Sequence, residues 1–276
     1  MSFLRTICFP SALLCILLPW QQASAAVIFA TDFNNVATGS TYPDSTVLNT
    51  GTTAQVTLRT ATNANFAIVD RGSGDHALQF LDNDSSGSTG LPKANSLAFT
   101  PLSTTSTGNN TLSGSFTYTR LLTNTSSTTS PSFVFTATNS GTGGGFDLQL
   151  SVENNGHLNY YNGGTNVDSG FTLLTGTEYT FQITADLSSA TQDTWSLSLV
   201  PVGSQTAVVQ LANLNTKVAN GNISQFSFWG GLNQPAVNAS AFGQLDNISF
   251  SAQPVPEPAS MGLALVAGGL LLRRKC

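Results

Sequence analysis

From Ala26 to Ala252 the chain alternates apolar and polar residues one for one. That period of two belongs to a strand with one buried face; a helix would repeat every 3.6 residues. Phe146, Leu148, Leu150 and Val152 are separated by Asp147, Gln149 and Ser151. Tyr179, Phe181, Ile183 and Ala185 are separated by Thr180, Gln182 and Thr184, and Trp195, Leu197 and Leu199 by Ser196 and Ser198. Asn154-Asn155-Gly156 stands between two such runs, and Asn-Gly tolerates the positive φ of a tight hairpin. The pattern predicts strands near 26–33, 55–59, 65–70, 76–82, 95–100, 111–121, 132–139, 145–153, 157–162, 169–174, 178–186, 194–201, 206–211, 222–231 and 241–252. Only 186–190 is left open between a turn and a short helical connection, and no helix long enough for a βαβ crossover is predicted.

One apolar face per strand predicts two antiparallel sheets packed face to face. The fold class expected is therefore all-β, a two-sheet antiparallel sandwich of jelly-roll type over residues 26–252 as one domain. Composition agrees. Only 8% of residues are charged, and much of the polarity comes from Ser, Thr, Asn and Gly, which favour strands and turns. The opening Thr31-Asp32-Phe33, the hairpin around Tyr179–Thr184 and Trp195–Leu199, and the closing Leu245-Asp246-Asn247-Ile248 resemble a concanavalin A-like, laminin G-type sandwich. The resemblance implies a fold and no particular activity.

The two ends read differently. Arg5, the apolar run Ile7–Leu18 and the small residues Ala23-Ser24-Ala25 make residues 1–25 a secretory signal peptide, with cleavage by signal peptidase between Ala25 and Ala26. Cys8 and Cys15 leave with it and Cys276 is the last residue, so the exported body has no disulfide and no thiol chemistry. Residues 253–276 begin with Pro256-Glu257-Pro258, continue as an apolar helix over 259–272 and end in Arg273-Arg274-Lys275. The apolar stretch is 14 residues, about 21 Å as a helix, short of a ~30 Å hydrocarbon core. The basic cluster is a cytoplasmic anchor.

This succession resembles the PEP-CTERM sorting signal. The resemblance implies an exosortase as partner during export, transient insertion in the inner membrane, and delivery to the cell surface or an exopolysaccharide matrix.

The body itself carries little chemistry. It has five basic residues against thirteen acidic ones, a net charge of −8, and no basic patch for nucleic acid. A glycosidase needs paired carboxyls, yet the body has only Glu153 and Glu178, both expected at solvated strand ends. His76 and His157 each open a strand and read as surface or edge residues. Asp82-Asn83-Asp84 begins like a calcium loop, but Lys93 stands where an EF-hand needs Glu. Asp32, Asp82, Asp84 and Asp246 are the candidate calcium ligands, the outer two if the first and last strands pair. Tyr160, Tyr161 and Trp229 are candidates for stacking on sugars, since adjacent aromatics on a strand point to opposite faces. The functional expectation is an exported, non-catalytic surface or matrix protein. The alternative is a carbohydrate-binding, lectin-like module, with exopolysaccharide as partner; a glycan-active enzyme ranks below both.

Overall fold

A computed structural model describes most of the chain between residues 25 and 254, in the segments 25–39, 42, 46–49, 55–59, 64–82, 93–96, 109–121, 131–138, 146–189, 191–217, 223–230 and 240–254. The expected signal peptide (residues 1–24 of it) and the sorting motif, apolar helix and basic end lie outside the described residues. Among the described residues no helix is long and apolar enough to cross a membrane.

Among the described residues every regular element is a strand: β1 (Ala26–Thr31), β2 (Val47–Asn49), β3 (Gln55–Arg59), β4 (Ala64–Gly72), β5 (Asp75–Asp82), β6 (Lys93–Ser96), β7 (Asn109–Arg120), β8 (Pro131–Thr138), β9 (Phe146–Glu153), β10 (His157–Asn162), β11 (Thr165–Thr172), β12 (Glu178–Asp186), β13 (Thr194–Pro201), β14 (Val209–Asn215), β15 (Gln225–Trp229) and β16 (Ser240–Pro254). They form two eight-stranded sheets. Sheet A runs β14-β13-β12-β7-β16-β5-β4, with β1 also paired to β16. Sheet B runs β11-β10-β9-β8-β15-β6-β3-β2. All the pairings are antiparallel, as the alternation predicts. The Asn154-Asn155-Gly156 turn joins β9 to β10 as a hairpin, with Gly156 at φ 93°. Residues 187–189 carry no helix.

The core is a layer of aromatic rings supplied by both sheets. Phe116 of β7 stacks on Phe181 of β12 at 4.9 Å, and packs across the sandwich on Phe133, Phe135 and Phe228 at 5.3–5.9 Å. Tyr118 stacks on Phe133 at 4.1 Å, and Phe226 on Phe250 at 4.1 Å. Tilted and offset pairs of this kind add to the area that each ring removes from water. Gly243 of β16 is required beside this layer, because a Cβ there would sit 2.5 Å from the Tyr118 ring. Asn247 carries φ 49° where the β16–β7 register shifts between Asp246 and Ser249. This bulge keeps Leu245 and Ile248 inward and turns Asp246 outward.

Phe116 touches rings of both sheets and is fully buried. Phe116→Ala is expected to cost about 3–5 kcal/mol in urea unfolding, with the slope unchanged. A loss below about 1 kcal/mol would contradict this packing.

Candidate functional site

The outward faces of the two sheets differ. On sheet A the outward residues form cross-strand rows. Ser249, Ser115, Gln182, Ser198 and Gln210 are register partners across β16, β7, β12, β13 and β14. Ser251, Ser113, Thr184 and Ser196 form the neighbouring row. Ser113, Gln182, Thr184, Gln210 and Ser249 are exposed and the others half-buried. Adjacent strands lie about 4.8 Å apart, so these rows make an uncharged field of hydroxyls and amides roughly 19 Å wide.

Sheet B departs from the expectation that outward means solvated. Ser132, Thr136, Asp147, Ser151, Asn159 and Ser227 all point away from the core, yet each is buried. Alternation reports which side of a strand faces the core and nothing about what lies over the other side.

A charged cluster closes one end of the field on sheet A. Arg71, beside the β4–β5 turn, donates Nη1 to Glu178 at 2.8 Å, pairs with Asp75 at 2.9 Å, and holds Asp246 through Nη2. Asp246 is 1% exposed. One guanidinium cannot neutralise three carboxylates. Burial foremost, with the negative charges of Asp75 and Glu178 adding to it, pushes Asp246 up to about 7. Arg71 and the Asn247 amide offset only part of this.

Arg120 was legible only as one of few cations. Buried at the end of β7, it donates to Thr175 Oγ1 at 2.7 Å and to the Asn154 carbonyl at 2.5 Å, tying two turns together. Burial lowers its pKa.

The predicted residues fall in separate places. Glu153 and Glu178 stand at strand ends as expected, but neither is simply solvated. Glu153 accepts from Asn159 Nδ2 at 2.6 Å and Glu178 from Arg71. These carboxylates serve as acceptors for neighbours that the sequence does not place beside them. His76 donates its amide to Asn34 Oδ1 at 2.7 Å and has Nδ1 2.9 Å from the Val36 carbonyl. His157 lies 3.2 Å from Asp168 in a surface pair.

Among the candidate calcium ligands, Asp32 is exposed and accepts from the Asn34 amide. The first and last strands do pair, Thr31 opposite Ile248, but Asp246 there is engaged by Arg71. Asp82 ends β5, and Asp84 lies outside the described residues. Ala25 and Ala26 stand exposed at the start of β1.

Of the candidate aromatics, Tyr160 turns inward and packs on the core. Tyr161 faces outward with the Lys217 ammonium 5.4 Å from its ring centroid. Trp229 is half-buried and faces outward at the end of β15. Tyr161 and Trp229 share the outer face of sheet B, three strands apart, a separation of about 14 Å across the strands.

A second acidic centre was not anticipated. Burial raises Asp147 to about 7, with the charge of Asp193 adding to the shift. Burial raises Asp193 to about 6, with Asp186 adding and the Ser189 amide opposing.

No family model and no curated protein matches this chain. Solved structures with a similar course of chain include lectin II from Ulex europaeus, at 12% identity and a TM-score of 0.48, covering 79% of this chain and 100% of that one. An endo-beta-1,4-glucuronan lyase from the fungus Trichoderma reesei is similar at 14% identity and a TM-score of 0.45, covering 82% and 95%. A sialidase is similar at 12% identity and a TM-score of 0.48, and this chain spans only 18% of it. Likenesses this remote say nothing about what the chain binds.

Three buried acids with raised pKa values fix the sign of the pH dependence. The folded state keeps protons that the unfolded chain gives up near 3.8. Their contribution is therefore full below that value and is lost as pH rises through 6 to 7. With chelator present, the melting temperature is expected to fall between pH 5 and pH 8, and Asp246→Asn should flatten the slope. A melting temperature that rises over that interval would contradict these assignments.

Proposed function

We propose that the chain is an exported, non-catalytic module of the cell surface or exopolysaccharide matrix, and that it meets polysaccharide through the outer face of sheet A. The observation that carries the contact surface is the pair of uncharged rows centred on Gln182 and Thr184. Hydroxyl and amide groups at fixed strand spacing can exchange hydrogen bonds with a hydrated polymer. They do so without the charge repulsion that a body of net charge −8 would otherwise offer an acidic glycan. The absence of catalysis is supported by the engagement of both glutamates of the body: Glu178 is held by Arg71 and Glu153 by Asn159. The most deeply buried member of the Arg71 cluster, Asp246, is closed off from any substrate by the guanidinium itself.

Export and sorting rest on the sequence of the two ends. They imply signal peptidase acting at Ala25 and Ala26, exosortase recognising Pro256-Glu257-Pro258, and temporary retention by Arg273, Arg274 and Lys275. Mass spectrometry of the protein recovered from its own cells tests that part. A mature chain starting at Ala26 and lacking the residues after the motif is expected; a C-terminus intact through Cys276 would contradict sorting.

A second, lectin-like reading places the contact on sheet B, where Tyr161 and Trp229 share one face. Pull-down on the exopolysaccharide of the source cells separates the two. The double variant Gln182→Glu with Thr184→Glu is expected to weaken binding at least about tenfold, roughly 1.4 kcal/mol, while Trp229→Ala leaves it within about twofold. The reverse result would move the contact to sheet B. Release of oligosaccharides by the purified protein would contradict the non-catalytic reading.

A further inference from the structure

At the end of the sandwich opposite the Arg71 cluster, two aspartates from different sheets meet. Asp147 is the second residue of β9 in sheet B, and Asp193 closes the connection that leads into β13 of sheet A. Consecutive amides at the end of β14 clamp them. Thr216 N–H donates to the Asp193 carbonyl at 3.1 Å, and Lys217 N–H donates to the Asp147 carbonyl at 2.9 Å. Gln192 Nε2 secures the same point, reaching the Asp193 carbonyl at 3.1 Å, the Thr216 carbonyl at 3.1 Å and Thr216 Oγ1 at 2.9 Å. The Thr216 hydroxyl also reaches the Asp193 carbonyl, at 3.3 Å.

The side chains between these clamps are not compensated. Asp193 is 0% exposed, and neither of its carboxylate oxygens makes a well-formed hydrogen bond; the nearby Ser189 amide offsets only part of the cost of burial. Asp147 is 4% exposed. Asp186, on the exposed end of β12, adds a third negative charge close by, and its Oδ1 is already occupied by Ser188. Lys217, whose amide clamps Asp147, directs its ammonium over the Tyr161 ring, and no positive charge offsets the shift of either carboxyl. Burying two carboxylates together without a counter-charge costs several kcal/mol, and an unmet carboxylate oxygen adds to that. A built frame of backbone clamps around such a pair is therefore a frame for something positive.

We propose that Asp147 and Asp193 are the anionic ligands of a divalent-cation site, and that the ion is calcium. The donors are carboxylate oxygens; the adjoining carbonyls of Asp193 and Thr216 are taken by Gln192 and by the Thr216 amide and hydroxyl, so water would complete the shell. Hard cations take such sets, and calcium accepts carboxylates and water with little demand on geometry. Zinc would call for His or Cys, and because no group of three or more His, Cys, Asp or Glu is arranged to hold a metal among the described residues, the site offers two acidic ligands and no third. With only two carboxylates the affinity falls in the range of extracellular modules, a Kd on the order of 10⁻⁴–10⁻³ M. The ion bridges the two sheets at the clamp and holds both carboxylates ionised at neutral pH. This site is separate from the aspartates that the sequence suggests for calcium.

Thermal unfolding of the full chain in chelator and in calcium chloride tests the site. At pH 7.5 and 10 mM calcium a rise of about 3–10 °C is expected. At pH 5 the rise should shrink, because protons compete for the same two carboxylates. Asp193→Asn and Asp147→Asn should each abolish the rise while folding at least as well as the unchanged protein in chelator, since each removes one of two like charges. Asp246→Asn should keep it. No rise in the unchanged protein, or a rise that persists in both Asp147→Asn and Asp193→Asn, would overturn the proposal.

Discussion

The aromatic layer between the sheets is what the rest of the molecule hangs on. Phe116, Tyr118 and Phe250 from sheet A interlock with Phe133, Phe135, Phe226 and Phe228 from sheet B. In a body without cysteine and poor in charged residues, burial of these rings is the main force joining the two halves. It also fixes register. A slip of one residue in β7 or β12 would carry Phe116 and Phe181 to the solvent side and bring Ser115 and Gln182 into the core. The neutral rows on sheet A are thus the obligatory reverse of the ring layer.

Charge is scarce in this chain, and among the described residues three groups of it stand at the ends of the sandwich. Arg71 gathers Asp75, Glu178 and Asp246 at one end of the open face. Arg120 ties the β9–β10 turn to the turn before β12. Asp147 and Asp193 lie together at the other end. Perturbed carboxyls often mark active sites, but structural networks perturb them too. Here Asp246 is buried against Arg71 and crowded by Asp75 and Glu178, and that is enough to raise its pKa.

Much of the fold was legible because alternation is a local property. Phe146–Val152 and Tyr179–Ala185 declare their inward faces residue by residue, and the Asn-Gly turn announces its hairpin. Three-residue β2 was missed, since Val47-Leu48-Asn49 is too short to show a period. The strand expected at 169–174 instead spans Thr165–Thr172, because its exposed residues include Thr165, Asn166, Asp168 and Gly170 and carry little apolar signal. The sites were less legible. Arg71 is far from Glu178 and Asp246 in sequence, as Asp147 is from Asp193, and only the sheet order brings each group together. Nothing in Asp147, set between Phe146 and Leu148, distinguishes a buried carboxyl from an ordinary outward one.

The Arg71 and Arg120 groups hold the architecture together, and the proposed contact with polysaccharide falls to the open, uncharged face of sheet A. The most direct test is to follow side-chain NMR signals of ¹⁵N-labelled protein while exopolysaccharide oligomers are added. The side-chain amides of Gln182 and Gln210 should move together, with the indole N–H of Trp195, buried in the core, serving as the fixed reference. Movement of the Trp229 indole with the glutamine amides unchanged, or no movement at all, would contradict a contact surface on sheet A.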